Sequence, residues 1–168
     1  MTLHPFASAA TDGDPLWHMG ALLNFKATGE DTDGQFWLAE QLSPPGYSSP
    51  LHRHTREDEL FIVLDGQMSV QVGDDTHKAV GGSLVFAPRG LPHQFHVESP
   101  ETRFLILSTP AGFEKWFQET GEPADGLVLP PPMEGVPDIG KLISSLARYG
   151  VEMLGGPSGP EDTGPRGR

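Results

Sequence analysis

The sequence predicts an all-β fold, an antiparallel sandwich or barrel, followed by a small amount of helix. Three observations lead there. From Gly20 to about Thr109, short apolar segments are separated by glycine, proline and aspartate, the punctuation of strands and turns. No helical spacing interrupts that stretch, which argues against an alternating helix–strand fold. Helix-spaced apolar residues come only late, at Phe113, Trp116 and Phe117 and again from Ile139.

The elements follow in order. Gln35–Leu42 alternates Phe36, Leu38 and Leu42 with Gln35 and Gln41, with Trp37 and Glu40 out of step. Leu60–Leu64 is a continuous apolar run, as expected of a strand buried on both faces. Asp65-Gly66 then gives a hairpin signal. In Gln67–Val72, Met68, Val70 and Val72 alternate strictly with Gln67, Ser69 and Gln71, and Gly73-Asp74-Asp75 turns the chain again. Ser83–Ala87, His93–Val97 and Arg103–Ser108 complete the strands. One helix is expected within Gly112–Thr120. A second is expected over Asp138–Leu154, with Pro137 before its start and Ile139, Leu142, Ile143, Leu146 and Met153 along one face. Pro130–Pro132 reads as a stiff connector between them. Residues 155–168 hold 5 glycines and 3 prolines in 14 positions and are expected to form a disordered tail. Residues 1–154 are therefore expected to be one domain, with a barrel core over about 20–110 and a helical extension over about 111–154.

Composition bounds the function. The 168 residues suit one domain, and 36% hydrophobic residues plus 21 glycines give an ordinary globular share of apolar positions. With 11 basic against 23 acidic side chains the net charge is −12, so phosphate backbones and anionic lipid are poor partners. No nucleic acid and no membrane is expected. No run approaches the ~20 apolar residues of a membrane span, and the first residues lack a basic-then-apolar signal pattern. The absence of cysteine excludes disulfides, thiolate metal sites and a cysteine nucleophile. A cytoplasmic location is expected.

The seven histidines carry the chemical information. His4, His18 and His77 have no partner at ligand spacing and read as surface or satisfied core residues. His52 and His54 are two apart, so in an extended chain both rings point to one face. Glu59 follows five residues later and His93 about forty later. Three imidazoles and a carboxylate suit a divalent first-row ion with two exchangeable positions, or zinc with one. The odd spacing from His54 to Glu59 demands a turn or bulge within Thr55-Arg56-Glu57-Asp58, where Glu57 is the main competitor of Glu59 as carboxylate ligand and otherwise reads, with Asp58, as a solvated turn carboxylate. His93 and His96 face opposite ways on a strand; Phe95 and Val97 share the face of His93. His93 is thus the inward ligand and His96 a surface residue.

These residues form two spaced motifs. Gly46, His52, His54, Glu59 and Gly66 fit G-x5-H-x-H-x4-E-x6-G, and Gly82, Pro88, Gly90 and His93 fit G-x5-P-x-G-x2-H. In both, the sequence resembles the cupin superfamily. It departs only where Val97 stands in place of a customary asparagine, which puts local hydrogen bonding in question and not the ligands. The resemblance implies a double-stranded β-helix, a jelly-roll barrel, with His52, His54, Glu59 and His93 as metal ligands. Trp17, Ala27–Gly34, Pro44-Pro45-Gly46 and Thr109-Pro110-Ala111-Gly112-Phe113 are similar to the single-domain, quercetin 2,3-dioxygenase-like cupins of bacteria.

That resemblance implies a metal-dependent dioxygenase for a small aromatic or enol compound of the flavonol type, with Glu59 serving both as ligand and as general base. The cofactor is one divalent transition-metal ion: Fe, Mn, Ni, Co, Cu and Zn all accept this ligand set. An apolar pocket walled by Phe61, Val63, Phe95, Trp37, Phe86 and Phe104 is expected, although plain core packing is the commoner fate of such aromatics. Two alternatives stand beside it: a non-oxidative metal-dependent cyclase, isomerase or lyase, and a metal-loaded small-molecule-binding cupin without catalysis. The partners expected are a small-molecule substrate, O2 and a second copy of the chain in a homodimer.

Overall fold

A period of two runs through most segments between Asp14 and Thr109 and folds them into two antiparallel sheets. The structure, a computed structural model, describes residues 3–132, 135 and 138–157. The larger sheet contains β1 (Asp14–His18), β2 (Ala21–Ala27), β3 (Trp37–Ser43), β5 (Asp58–Asp65), β8 (Leu84–Ala87), β10 (Thr102–Thr109) and the short β11 (Glu122–Pro123), ordered β11-β1-β2-β3-β10-β5-β8. The smaller contains β4 (Pro50–His54), β6 (Gln67–Val72), β7 (Asp75–Val80), β9 (His93–Val97) and β12 (Val151–Pro157), ordered β12-β4-β9-β6-β7. Their facing sides bury one core, the arrangement of a jelly roll. Helix α1 (Glu114–Thr120) follows β10, and α2 (Ile139–Leu146) leads through a tight turn at Ala147–Tyr149 into β12.

The core explains which face each strand presents. Met68 and Val70 of β6 and Phe95 and Val97 of β9 are buried, as their alternation predicts. In β3 the faces are inverted: Trp37, Ala39, Gln41 and Ser43 point inward, while Leu38, Glu40 and Leu42 are half-buried outside. The two residues out of step with the expected pattern belonged to a different phase, because the bulky Trp37 went to the core and Gln41 bonds to Ser43 (Nε2 to Oγ, 2.9 Å) there. Leu60–Leu64 is likewise one-sided. Phe61 and Val63 are buried, Leu60 and Ile62 half-buried, and Leu64 exposed.

Asp65-Gly66 is a corner rather than a hairpin. β5 pairs with β10 and β8, and β6 with β7 and β9, so the chain changes sheets here. Gly66 has φ +88°, and a Cβ on it would lie 2.4 Å from the Glu101 carbonyl oxygen; glycine alone fits without strain. Two-residue hairpins lie instead at Gly73-Asp74, between Val72 and its partner Asp75, and at Met19-Gly20, between His18 and Ala21.

The second helix ends earlier than its periodicity suggests. Asp138 caps it by accepting the Lys141 amide at 3.0 Å, and Leu146 is its buried residue. Gly150, at φ +73°, then breaks the spiral, and Val151 and Met153 enter β12 opposite His54 and His52. Met153 therefore lies on a strand, and so do residues 155–157, expected in the tail. Residues 158–168 and Pro137 lie outside the described residues.

Candidate metal centre

β4 and β9 pair in the smaller sheet with His52 opposite His93. His54 projects from the same face two residues on, and the chain then turns through residues 55–57 to cross to the larger sheet. The turn required by the five-residue spacing is there, and it delivers Glu59 from the facing sheet. Two contacts hold the second motif against the first. The Gly90 amide donates to the His54 carbonyl at 2.8 Å, and Arg89 donates to Asp58 through its amide (2.8 Å) and guanidinium (2.8 and 3.0 Å).

One ligand atom from each of His52, His54, Glu59 and His93 lies within 4.8 Å of the others. Glu59 Oε2 is 3.0 Å from His93 Nε2, and its Oε1 is 3.6 Å from His54 Nε2. His54, Glu59 and His93 are buried, and His52 is half-buried. The outer nitrogens all meet acceptors. His52 Nδ1 donates to the Pro50 carbonyl (2.7 Å), His54 Nδ1 faces Glu57 Oε2 (3.2 Å), and His93 Nδ1 faces the Leu91 carbonyl (3.3 Å). For His52 and His54 that arrangement favours the Nδ1–H tautomer and turns the Nε2 lone pair inward, while His93 meets an acceptor at both nitrogens, the Leu91 carbonyl and Glu59. Among the described residues, His54 Nε2 is buried without a hydrogen-bond partner, an expensive position unless something else satisfies it. The donor set and this orphaned nitrogen fit a divalent transition-metal ion.

Electrostatics agree with that donor set at His52 and Glu59. Burial, reinforced by the facing rings of His93 and His54, pushes His52 down to about 3, so it stays neutral. Burial alone would raise Glu59, but the surrounding His54, His93 and His52 hold it at about 2, so it stays ionised. Burial opposes a charge on His54, yet Glu59 and Glu57 raise it on balance.

The remaining expectations divide. His96 turns away and contacts Ser48 (2.6 Å, Oγ to Nδ1). Val97 is held through its backbone, its amide donating to the Tyr47 carbonyl (2.8 Å) and its carbonyl accepting from Gly46 (3.2 Å), so no asparagine is needed. Glu57 is not a solvated turn carboxylate: it is 3% exposed and bonded to His54. Asp58 is half-buried in its pair with Arg89. Phe61 lies edge-on to His93 at 6.1 Å, and it also packs with Phe95 and Phe104 deeper in the core. Val63 belongs to the same packing. Trp37 is fully buried, and its Nε1, like Ser108 Oγ, has no hydrogen-bond partner among the described residues. Register places Trp37, Ser108 and Glu59 in one row across β3, β10 and β5. Phe86 is 50% exposed and lines a surface concavity of about 400 Å³ with His77, Lys78 and Leu84, away from the cluster. It sits on the outer face because Val85 and Ala87 took the inner one. Phe113, expected only on a helix face, packs edge-on against His54 at 4.8 Å.

A family model described as a cupin domain matches residues 39–110, a span that contains all four residues of the cluster. Residues 39–110 are thus a cupin domain. This cupin is 27% identical over 126 residues to a quercetin 2,3-dioxygenase of Bacillus subtilis (strain 168), a match covering 75% of this chain and 37% of that protein. It spans about half or less of the first curated relatives it matches. Among solved structures, an RmlC-like cupin of Shewanella frigidimarina has a TM-score of 0.56 at 15% identity, covering 68% of this chain and 99% of that one. A predicted oxalate decarboxylase of Thermotoga maritima has a TM-score of 0.54 at 19% identity, covering 66% and 99%. Both likenesses are of fold. No helix among the described residues is long and apolar enough to cross a membrane.

Proposed function

We propose that this cupin is a metal-dependent dioxygenase acting on a small aromatic or enol compound of the flavonol type. The observation that carries the reading is the buried convergence of His52, His54, Glu59 and His93 on one point, with His54 Nε2 left for an ion. The likeness to a quercetin 2,3-dioxygenase supports the substrate class. When bound, the ion supplies Lewis acidity and redox capacity.

The chain's own residues do the rest. His52 stays neutral, and Glu59, held ionised, is the carboxylate placed beside the cluster to take the proton of a substrate hydroxyl. Phe113 and Phe61 flank the cluster with apolar rings that exclude water. Trp37 Nε1 and Ser108 Oγ, unpartnered among the described residues and in register with Glu59, offer hydrogen bonds to a substrate oxygen. In this reading the protein is cytoplasmic and homodimeric, the latter checked by light scattering against the 18.1 kDa chain.

The test is O2 uptake by metal-loaded protein offered flavonols and enediols, with His52→Ala as control. Stoichiometric O2 consumption with ring-opened product, absent in the control, is expected. Product without O2 uptake would replace the proposal with a non-oxidative cyclase, isomerase or lyase. Ligand bound and returned unchanged would replace it with a binding protein.

A further inference from the structure

The three histidines do not obtain their outer contacts in the same way. His52 and His93 each face the carbonyl two residues earlier, Pro50 and Leu91, so the strand backbone itself orients them. For His54 the contact is a side chain, the Glu57 carboxylate, 3.2 Å from Nδ1. Glu57 is 3% exposed in a turn whose other members, Thr55 and Arg56, are exposed. Burying a carboxylate is costly unless it is paired, and among the described residues its ion-pair contact is His54.

The geometry leaves the His54 ring one good choice of proton position. With the proton on Nε2, that N–H would face Glu59 Oε1 at 3.6 Å, beyond a normal hydrogen bond, while the Nδ1 lone pair opposed the Glu57 carboxylate. With the proton on Nδ1, Glu57 accepts it and the Nε2 lone pair points at the position shared with His52, His93 and Glu59. Phe113, edge-on at 4.8 Å, limits ring rotation from the other side.

We propose that Glu57 is the positioning residue of the metal centre: its carboxylate holds His54 in the Nδ1–H form and so aims Nε2 at the ion. The proposal rests on the metal-centre reading above. Removing such an outer partner typically weakens metal affinity about 10- to 100-fold. A glutamine keeps an acceptor oxygen in nearly the same place, so it should preserve the tautomer.

Two measurements on wild type, Glu57→Gln and Glu57→Ala test this. Long-range ¹⁵N–¹H NMR of the metal-free protein, recorded at a pH alkaline enough for His54 to be neutral, reads its tautomer without requiring any ion. Competition with a chromophoric chelator for Co²⁺ or Zn²⁺ reads affinity. Wild type and Glu57→Gln should show Nδ1–H at His54 and bind within about threefold of each other. Glu57→Ala should lose that tautomer preference and bind about 10- to 100-fold more weakly. Unchanged tautomer and affinity in Glu57→Ala would overturn the proposal, as would Glu57→Gln binding as weakly as Glu57→Ala. Wild-type His54 in the Nε2–H form would overturn it without any variant. Wild type that takes up neither ion, yet shows the Nδ1–H form lost in Glu57→Ala, would defeat the metal reading and leave the role of Glu57 in orienting His54 supported.

Discussion

Replacing His18 with phenylalanine should flatten part of the acid limb of this protein's stability profile. His18 is 5% exposed. Its Nε2 lies 3.0 Å from Thr120 Oγ1, and its ring packs edge-on against Trp116 (4.7 Å) and Phe117 (5.1 Å). Burial pushes it from 6.5 down to about 4. Above about pH 6.5 both folded and unfolded chains carry the neutral ring, and the residue contributes no pH dependence. Between about 6.5 and 4 the unfolded chain binds a proton that the folded chain refuses, so stability falls as pH falls. Below about 4 both are protonated and the difference levels off. A gap of about 2.5 units at 1.36 kcal/mol per unit amounts to about 3 kcal/mol. In His18→Phe the ring packing remains, and Thr120 Oγ1 keeps its 2.7 Å bond to the Trp116 carbonyl. Urea unfolding followed by tryptophan fluorescence across this range gives the wild-type-minus-variant difference, in which shared carboxylate effects cancel. A difference that falls by about 3 kcal/mol between pH 7 and 4 is expected. A flat difference would refute the reasoning.

Other perturbations probe other parts of the molecule. Gly66→Ala places a methyl 2.4 Å from the Glu101 carbonyl at φ +88° and should cost roughly 2–5 kcal/mol from backbone strain and overpacking, read by chemical denaturation. Phe104→Ala empties a fully buried position among Phe61 and Phe95 and should cost about 3–5 kcal/mol in the same assay. Glu114→Ala leaves the Gly29 and Gly112 amides without their acceptor; a loss of roughly 2–4 kcal/mol is expected, and hydrogen exchange should quicken at both amides. His93→Ala should abolish stoichiometric metal while leaving a folded barrel, whereas His96→Ala should retain the metal. The reverse pattern, read by metal analysis, would overturn the assignment of faces on β9.

What the sequence discloses, and what it hides, follows the range of the forces involved. The four clustered residues were legible because the spacing of His52 and His54 is a strand property, and the odd offset to Glu59 requires a turn. The inward His93 was legible from Phe95 and Val97, whose burial is a local alternation. Glu57 was not, because nothing in a polar four-residue turn says which carboxylate folds back under His54. The faces of β3 were hidden because the choice between Trp37 and Leu38 depends on Phe25 and Phe117, which come from elsewhere in the chain. Gly66 reads locally as a hairpin, and only the long-range pairing of β5 with β10 makes it a corner. In the C-terminal segment, the spacing from Leu146 to Met153 mimics a helix. The left-handed Gly150 and the free edge of β4 decide for a strand.

The central claim is that His52, His54, Glu59 and His93 hold one ion, and element-resolved metal analysis of the purified protein tests it most directly. About one first-row transition-metal ion per chain, absent from His52→Ala and His93→Ala variants that retain the wild-type circular dichroism spectrum, is the expected result. A folded wild-type chain that holds no metal even after reconstitution with each of Fe, Mn, Co, Ni, Cu and Zn would contradict it.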